Sequence, residues 1–361
     1  MSQQARHNAR QAALAHVSML ARAERSQARA ETAHLLAMSH VCPERWAQCR
    51  AHLLSQGAIA LHFHPDRPGA EHPSVVAGLD ACGHYLNQFE SGLSNGLLDP
   101  SPDGRRARWE ADLFGPEYAR RVQYAERPKY GAWHLWPHSD GPAPRFGSCY
   151  LRLKPSVNAR ATFCWGDSHR QPRVRGTLAE PDALLAAMLI ECFERGTVLG
   201  AEGLSLASLI EGLSADNPTR WLDGRPGGNL DFYIEAQVHG PVSLSRDVEA
   251  LVADPSFIGT EMGQRMEGLA RRYGFPLHWH PGYRLRPDRV PMDKRGPAMP
   301  AVAQQVAELG AQLGQGPWVD AHHLGLALAQ STKNPSAWGH WGEPPEQLMK
   351  WLWHLLVMLG R

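Results

Sequence analysis

The run Asp231-Phe232-Tyr233-Ile234-Glu235-Ala236-Gln237-Val238-His239-Gly240 carries a carboxylate, an amide and an imidazole within a few residues. Phe232, Ile234, Ala236 and Val238 alternate with Tyr233, Glu235, Gln237 and His239, the period of two that sends side chains to opposite faces of a strand. A half-exposed strand with a solvated face has the same pattern. Glu, Gln and His are poor strand formers, however, and the run follows a Gly227-Gly228 turn, so a polar ladder at a site is the sharper expectation. A carboxylate there can stabilise a developing cation, and a histidine can move a proton near neutral pH.

Two other clusters carry chemistry. His64 and Arg67 lie in His64-Pro65-Asp66-Arg67-Pro68-Gly69, where two prolines fix the backbone and hold a cation at the end of a strand. Ser91, Ser94 and Asn95 lie among Gly92 and Gly96, just after Tyr85 and Phe89, and glycine lets backbone N–H groups approach a ligand closely. The spacing is neither GxxxxGKS/T nor GxGxxG, which excludes phosphate loops of the Walker and Rossmann types.

The main rival chemistry comes from an echo, Leu61-His62-Phe63-His64-Pro65 against Leu277-His278-Trp279-His280-Pro281. Two such strands with Asp66 or Asp167 have the donor types of a zinc or dinuclear hydrolase centre. With 19 histidines in the chain, chance pairs are expected, the carboxylates usual around two metals are not evident nearby, and no metal is expected. Ser91 and Ser94 lack a GxSxG elbow, and no cysteine has a nucleophile motif. Glu90 and Glu235 are carboxylates of glycosidase type whose separation is not readable from the chain.

Helices and strands must position these groups. Residues 8 to 40 read as a helix with Leu14, Val17 and Leu20 at helical spacing and an Arg-rich solvated face, and Pro43 opens a second helix through Leu54. Ala58 to His64 reads as a strand. Residues 97 to 145 read as loop-rich. Arg145 to Leu153 and Ala161 to Ser168 read as two strands able to pair as a hairpin. Helices are expected from Pro181-Asp182 through Phe193 to Gly196, from Leu204 to Leu213, from a Ser245 cap through Val252, and from a Thr260 cap to Tyr273 with Gly274 ending it. Phe275 to Pro281 reads as a short strand. Three helices follow Pro300, the last very apolar and expected to pack across the sheet.

At 361 residues with 43% hydrophobic and 20% charged residues, the chain can bury a real core. A formal net charge of +1 gives no global field for nucleic acid or an acidic membrane surface, so neither partner is expected. Six scattered cysteines without a CxxC pair read as free thiols in a reducing compartment. The first ten residues lack an apolar signal core, and the longest apolar stretch is broken by Lys350 and His354. The expectation is a cytoplasmic protein, or one secreted as an effector without a cleavable signal peptide.

Four motifs occur in one order: ALHFHPDR (60–67), QFESGLSNG (88–96), RFGSCYLRL (145–153) and YIEAQVHG (233–240). Together they resemble a bacterial family catalogued as a domain of unknown function, which is similar to effectors that ADP-ribosylate a threonine of ubiquitin. The resemblance covers roughly residues 40 to 285. It implies an α+β fold with an ADP-ribosyltransferase-like twisted, mostly antiparallel sheet core and helical N- and C-terminal flanks. The corresponding division is a helical segment over 1–55, a catalytic core over 56–290 and C-terminal helices over 291–361.

The same resemblance implies NAD⁺ as co-substrate and mono-ADP-ribosyl transfer as the activity. His64 and Arg67 match the first strand that holds the dinucleotide, Ser91, Ser94 and Asn95 the middle Ser/Thr element, and Glu235 the late catalytic carboxylate. Many members carry Gln-x-Glu or Glu-x-Glu, whereas this chain has Glu235-x-Gln237. Either Glu235 is catalytic with Gln237 one strand step beyond, or the register differs. The residue types suit the reaction: Glu235 for the ribose cation, Gln237 for positioning, Arg67 for the pyrophosphate, His64 or His239 for a ribose hydroxyl or a proton, and Phe89 or Tyr85 for stacking. The implied acceptor is a Ser or Thr hydroxyl of a protein such as ubiquitin. The alternatives are a metal-dependent hydrolase on the two HxH strands, and a sensor that binds NAD⁺ without cleaving it.

Overall fold

A computed structural model describes residues 3–93, 101, 104–215, 217, 219–339 and 341–360. Among these residues eight strands form one sheet: β1 (Ala58–Phe63), β2 (Lys129–His134), β3 (Cys149–Leu153), β4 (Ala161–Trp165), β5 (Arg175–Thr177), β6 (Ile234–Val238), β7 (Val248–Ala253) and β8 (Leu277–Trp279). Their order is β8-β7-β3-β1-β2-β6-β4-β5. Every neighbouring pair is antiparallel except β7 and β8. The protein is α+β with a mostly antiparallel mixed sheet.

The pleat gives the sheet two unlike faces. Ile59, Leu61, Trp133, Leu151, Phe163, Ala236 and Val238 bury in the main hydrophobic core. Register places Ala60 opposite Ala132 and Arg152, and Glu235 opposite Ala132 and Cys164, so these side chains share the other face. That face carries Tyr130, His134, Tyr150 and Arg152 beside Glu235 and Gln237, a polar row inside the protein. Removing one large apolar side chain, as in Leu61→Ala, costs roughly 2–5 kcal/mol from such a core.

The main helices are α1 (Gln3–Met38), α2 (Pro43–Gln56), α3 (Arg105–Phe114), α4 (Pro116–Arg121), α5 (Asp182–Arg195), α6 (Leu206–Ser214), α7 (Glu261–Tyr273), α8 (Met299–Gln312), α9 (Ala321–Lys333) and α10 (Pro345–Leu359), with a further helix at Val75–Cys82 and shorter turns between them. Local signals act where expected. The Thr260 hydroxyl accepts from Gly263 N–H to start α7, and Gly274 at φ 75° ends it. Gly196 at φ 66° ends α5.

Several expectations are corrected. Residues 97–145 are not simply loop: α3, α4 and β2 lie within them. β3 and β4 do not form a hairpin, because β3 pairs with β1 and β7 while β4 pairs with β6 and β5. The helix expected from a Ser245 cap through Val252 is a single turn, Leu244–Asp247, with Ser243 as its N-cap residue, and the chain then becomes the strand β7, all but one of its residues buried. The ladder strand begins at Ile234, leaving Asp231 to Tyr233 outside it. α1 buries a stripe of small residues, Ala9, Ala13, Val17, Ala21 and Ala28, while Leu20 is exposed. Nor is its arginine face merely solvated. Arg22 and Arg25 pair with Glu180, and Arg29 with Asp182, at the start of α5. The last helix packs on α8, α9 and the turn Pro144–Phe146.

Candidate functional site

All five residues of β6 are buried, so its polar row faces the interior. Exposure falls along it, from 6% at Glu235 to 2% at Gln237 and none at His239. Glu235 is therefore the outermost group of the three. The Ser168 hydroxyl and the Gln237 amide (2.9 Å) both donate to Glu235 Oε1, and Ser168 N–H reaches Oε2 at 3.3 Å. The second Gln237 N–H contacts Cys164 Sγ at 3.1 Å, and its carbonyl accepts from the Thr162 hydroxyl at 2.8 Å. Thr162 in turn meets His239 Nε2 at 3.0 Å, which therefore carries the proton. This chain runs one way, from His239 through Thr162 and Gln237 to Glu235. Gln237 has both amide ends engaged and acts as a positioning residue for the carboxylate.

Burial, with the Asp167 charge beside it, pushes the Glu235 carboxyl up to about 7, against the lowering effect of the Ser168 and Gln237 donors. The side chain thus divides between acid and carboxylate near neutrality. His239 differs. Its ring packs edge-on against Phe114 at 4.8 Å and Tyr118 at 6.0 Å, and burial, with the charges of Lys129, Arg10 and Arg160, holds it down at about 3. It is a neutral imidazole at the closed end of the row.

The helices α3 and α4 seal that end. Trp109 stacks on Tyr130 at 5.3 Å and donates from Nε1 to Ser168 O at 3.0 Å, which ties α3 to the Glu235 partner. Beneath it the buried Glu110 accepts from Arg127 at 2.6 Å and from the hydroxyls of Tyr118 and Tyr130 at 3.0 Å. Across the row, Asp140 accepts from Gly227 N–H at 2.7 Å, Gly228 N–H at 3.0 Å and the Tyr283 hydroxyl, which anchors the loop that leads into β6.

His64 and Arg67 follow β1 and meet α10 rather than the ladder. His64 packs edge-on to Trp353 at 5.0 Å, and burial holds its imidazole down at about 3. Trp353 Nε1 donates to Pro144 O at 2.8 Å, which places the next residue, Arg145, by the same helix. Arg145 binds Asp231, donates to Leu230 O at 3.3 Å and lies over Phe146, whose ring meets Tyr233 at 5.7 Å. Tyr233 precedes Glu235 by two residues on the same face, and its buried hydroxyl has no hydrogen-bond partner among the described residues. Arg145 and Phe146 thus connect the α10 side to the mouth of the ladder.

The other candidates fall elsewhere. The Arg127 guanidinium lies 4.0 Å over the Phe89 ring, with Tyr124 at 5.8 Å on the same ring. Ser91 donates to Asn87 O at 2.9 Å within its own turn. Glu90 closes the capping box of that turn with Asn87 and lies 3.7 Å from Lys129, so it does not pair with Glu235. Tyr85 donates to His62 O at 3.2 Å. Ser94 and Asn95 lie outside the described residues.

His280 acts electrostatically on His62, but among the described residues the two HxH strands do not assemble a metal-ligand set. His62, Tyr150, Val252 and His278 form one row across β1, β3, β7 and β8. Three strand spacings put the end members roughly 14 Å apart. His62 uses Nδ1 with Gly147 O at 3.2 Å and Nε2 with Ala143 N–H at 3.3 Å, and His280 is likewise engaged at Ser148 O and Gly282 N–H. Among the described residues no three His, Cys, Asp or Glu side chains gather as metal ligands. A cavity of about 770 Å³ between α2 and α6 is lined by Arg45, His52 and Glu211 and holds none of the candidate residues.

Sequence reading placed Tyr233 in the polar set without a role, and missed Ser168 as a partner of the site and Lys350 and His354 on α10. Lys350 and His354 left a signal, because they are a cation and an imidazole breaking an apolar run, whereas Ser168 left none.

The fold and this buried polar row define an α+β protein with a carboxylate-centred candidate site on a mixed sheet. The family model described as Protein of unknown function (DUF3626) matches residues 58–359, and the chain belongs to that family. No curated protein matches the chain. No described helix is long and apolar enough to cross a membrane.

Proposed function

We propose that the protein is an NAD⁺-dependent mono-ADP-ribosyltransferase with Glu235 as its catalytic carboxylate. One observation carries the reading: Glu235 is the outermost group of a buried row, held by Ser168 and Gln237, and its neighbour Tyr233 leads through Phe146 to Arg145. A carboxylate fixed by donors needs little reorganisation when positive charge develops opposite it. Nicotinamide leaves with the electron pair of the C1′–N bond, and the ribose carbon becomes cationic. Ionised Glu235 stabilises that cation and accepts a hydrogen bond from the ribose 2′-hydroxyl. The acceptor hydroxyl then forms the new C1′–O bond and gives up its proton to solvent water. A protein Ser or Thr, ubiquitin among the candidates, is the acceptor class implied by the resemblance.

The test is nicotinamide release from NAD⁺ by the purified chain, alone and with acceptor proteins. Glu235→Gln should lower the rate at least 100-fold, and the native rate should rise with pH through about 7 as Glu235 ionises. Full activity in Glu235→Gln defeats the assignment. Tight NAD⁺ binding with no release on long incubation favours a sensor instead.

A further inference from the structure

We infer that the face of α10 that meets the turn after β1 binds a diphosphate, through Arg67, Arg145, Arg295, Lys350 and His354. That the diphosphate belongs to a dinucleotide co-substrate rests on the function proposed above; the anion site itself rests on the following geometry.

Lys350, Trp353, His354 and Val357 share one face of α10 by helical spacing. Trp353 is pinned to Pro144 O at 2.8 Å, to the His64 ring at 5.0 Å and to the Tyr283 ring at 5.7 Å. The turn carrying Arg67 and the residue Arg145 are thereby brought to this face. On the far side a Cβ on Gly228 would come within 3.0 Å of Val357 O, so the chain before Asp231 closes against the helix. Inside this frame His354 is 2% exposed, and neither ring nitrogen has a hydrogen-bond partner among the described residues. Buried polar groups are nearly always partnered, so two unmatched nitrogens on one ring point to a missing ligand.

The charge around that ring is positive. After burial, Arg295, Arg145 and Lys350 act on His354, and Arg145, Arg67 and Arg295 act on Lys350, each holding the group down. The facing acids are Asp231, which binds Arg145, Glu346, which acts on Arg67, and Asp167, which acts on Lys350. Four cations from four segments repel one another in a partly desolvated space. A ligand with several negative oxygens relieves that repulsion and gives His354 an acceptor for its N–H. Arginine forks suit phosphate oxygens, and four cations suit the several charges of two linked phosphates better than those of one. Asp167 acts electrostatically on both Lys350 and Glu235, so one charge links the anion site to the candidate catalytic carboxylate.

Calorimetric titration of inorganic pyrophosphate into the full chain tests this. Binding should appear at low salt, weaken with added salt, and fall at least tenfold in Lys350→Met and in His354→Leu. It should survive in Arg265→Met, a control at an exposed ion pair on α7. Lys350 is half-buried, so Lys350→Met keeps the test alive if His354→Leu melts early. Absent binding, or undiminished binding in Lys350→Met, overturns the inference, and inorganic phosphate binding as tightly as pyrophosphate overturns the two-phosphate assignment. Pyrophosphate binding without nicotinamide release supports this site and defeats the transferase. Nicotinamide release without Lys350-dependent pyrophosphate binding does the reverse.

Discussion

Replacing Glu235 by Gln should change how stability depends on pH as well as activity. The carboxyl moves from an ordinary value of 4.5 to about 7 on folding, chiefly through burial. A raised folded value means the protonated form is favoured inside. That contribution is fully present below pH 4.5 and is lost as pH rises through about 7. At about 1.4 kcal/mol per tenfold change, native stability should fall by on the order of 2–3 kcal/mol between pH 5 and pH 8 from this group alone. Glutamine does not ionise, keeps an oxygen for Ser168 Oγ and Gln237, and turns its amide toward Ser168 N–H. The variant therefore starts less stable at pH 5 and closes the gap, or passes the native protein, by pH 8. Urea denaturation of both proteins at four pH values measures this, and taking the difference cancels the other titrating groups. A difference constant to within about 0.5 kcal/mol across that range would refute the account of Glu235 as a buried, proton-holding carboxyl.

Other outcomes follow from single contacts. Arg127→Met leaves Glu110 without its 2.6 Å partner and should cost roughly 3–5 kcal/mol near neutral pH, with Glu110→Gln added in the same chain recovering much of it; chemical denaturation of the single and double variants checks both. Gly147→Ala places a Cβ 2.2 Å from the Phe63 carbonyl carbon, so β1 and the chain entering β3 must separate. A loss of about 1–3 kcal/mol is expected, read as a lower melting temperature. Trp353→Phe removes the Nε1 bond to Pro144 O and should cost about 1 kcal/mol, while also weakening pyrophosphate binding by loosening Arg145.

What the chain encodes locally was legible from residue order alone. Alternation at 232–239 marked a strand with Glu235 and Gln237 on one face, and Thr260, Gly274 and Gly196 marked helix ends, because period and capping act over a few residues. The glycine- and proline-bounded stretch at 58–64 gave β1 for the same reason. Tertiary structure decided which strands pair. β4 lies beside β6 and not beside the preceding β3, since neighbouring strands are chosen by which buried faces fit across the whole sheet. It also decided what the polar row means: the alternation at β6 is equally that of a solvated face, and it is buried by α3, α4, the 139–147 segment and the 224–232 loop. Sequence put His64 and Arg67 in one site with Glu235. The fold sends them to α10, where Trp353 meets Pro144 across 209 residues and gathers Arg145, Lys350 and His354 around them. No local pattern specifies that meeting, because it depends on an apolar helix finding the one part of the sheet rim that accommodates it.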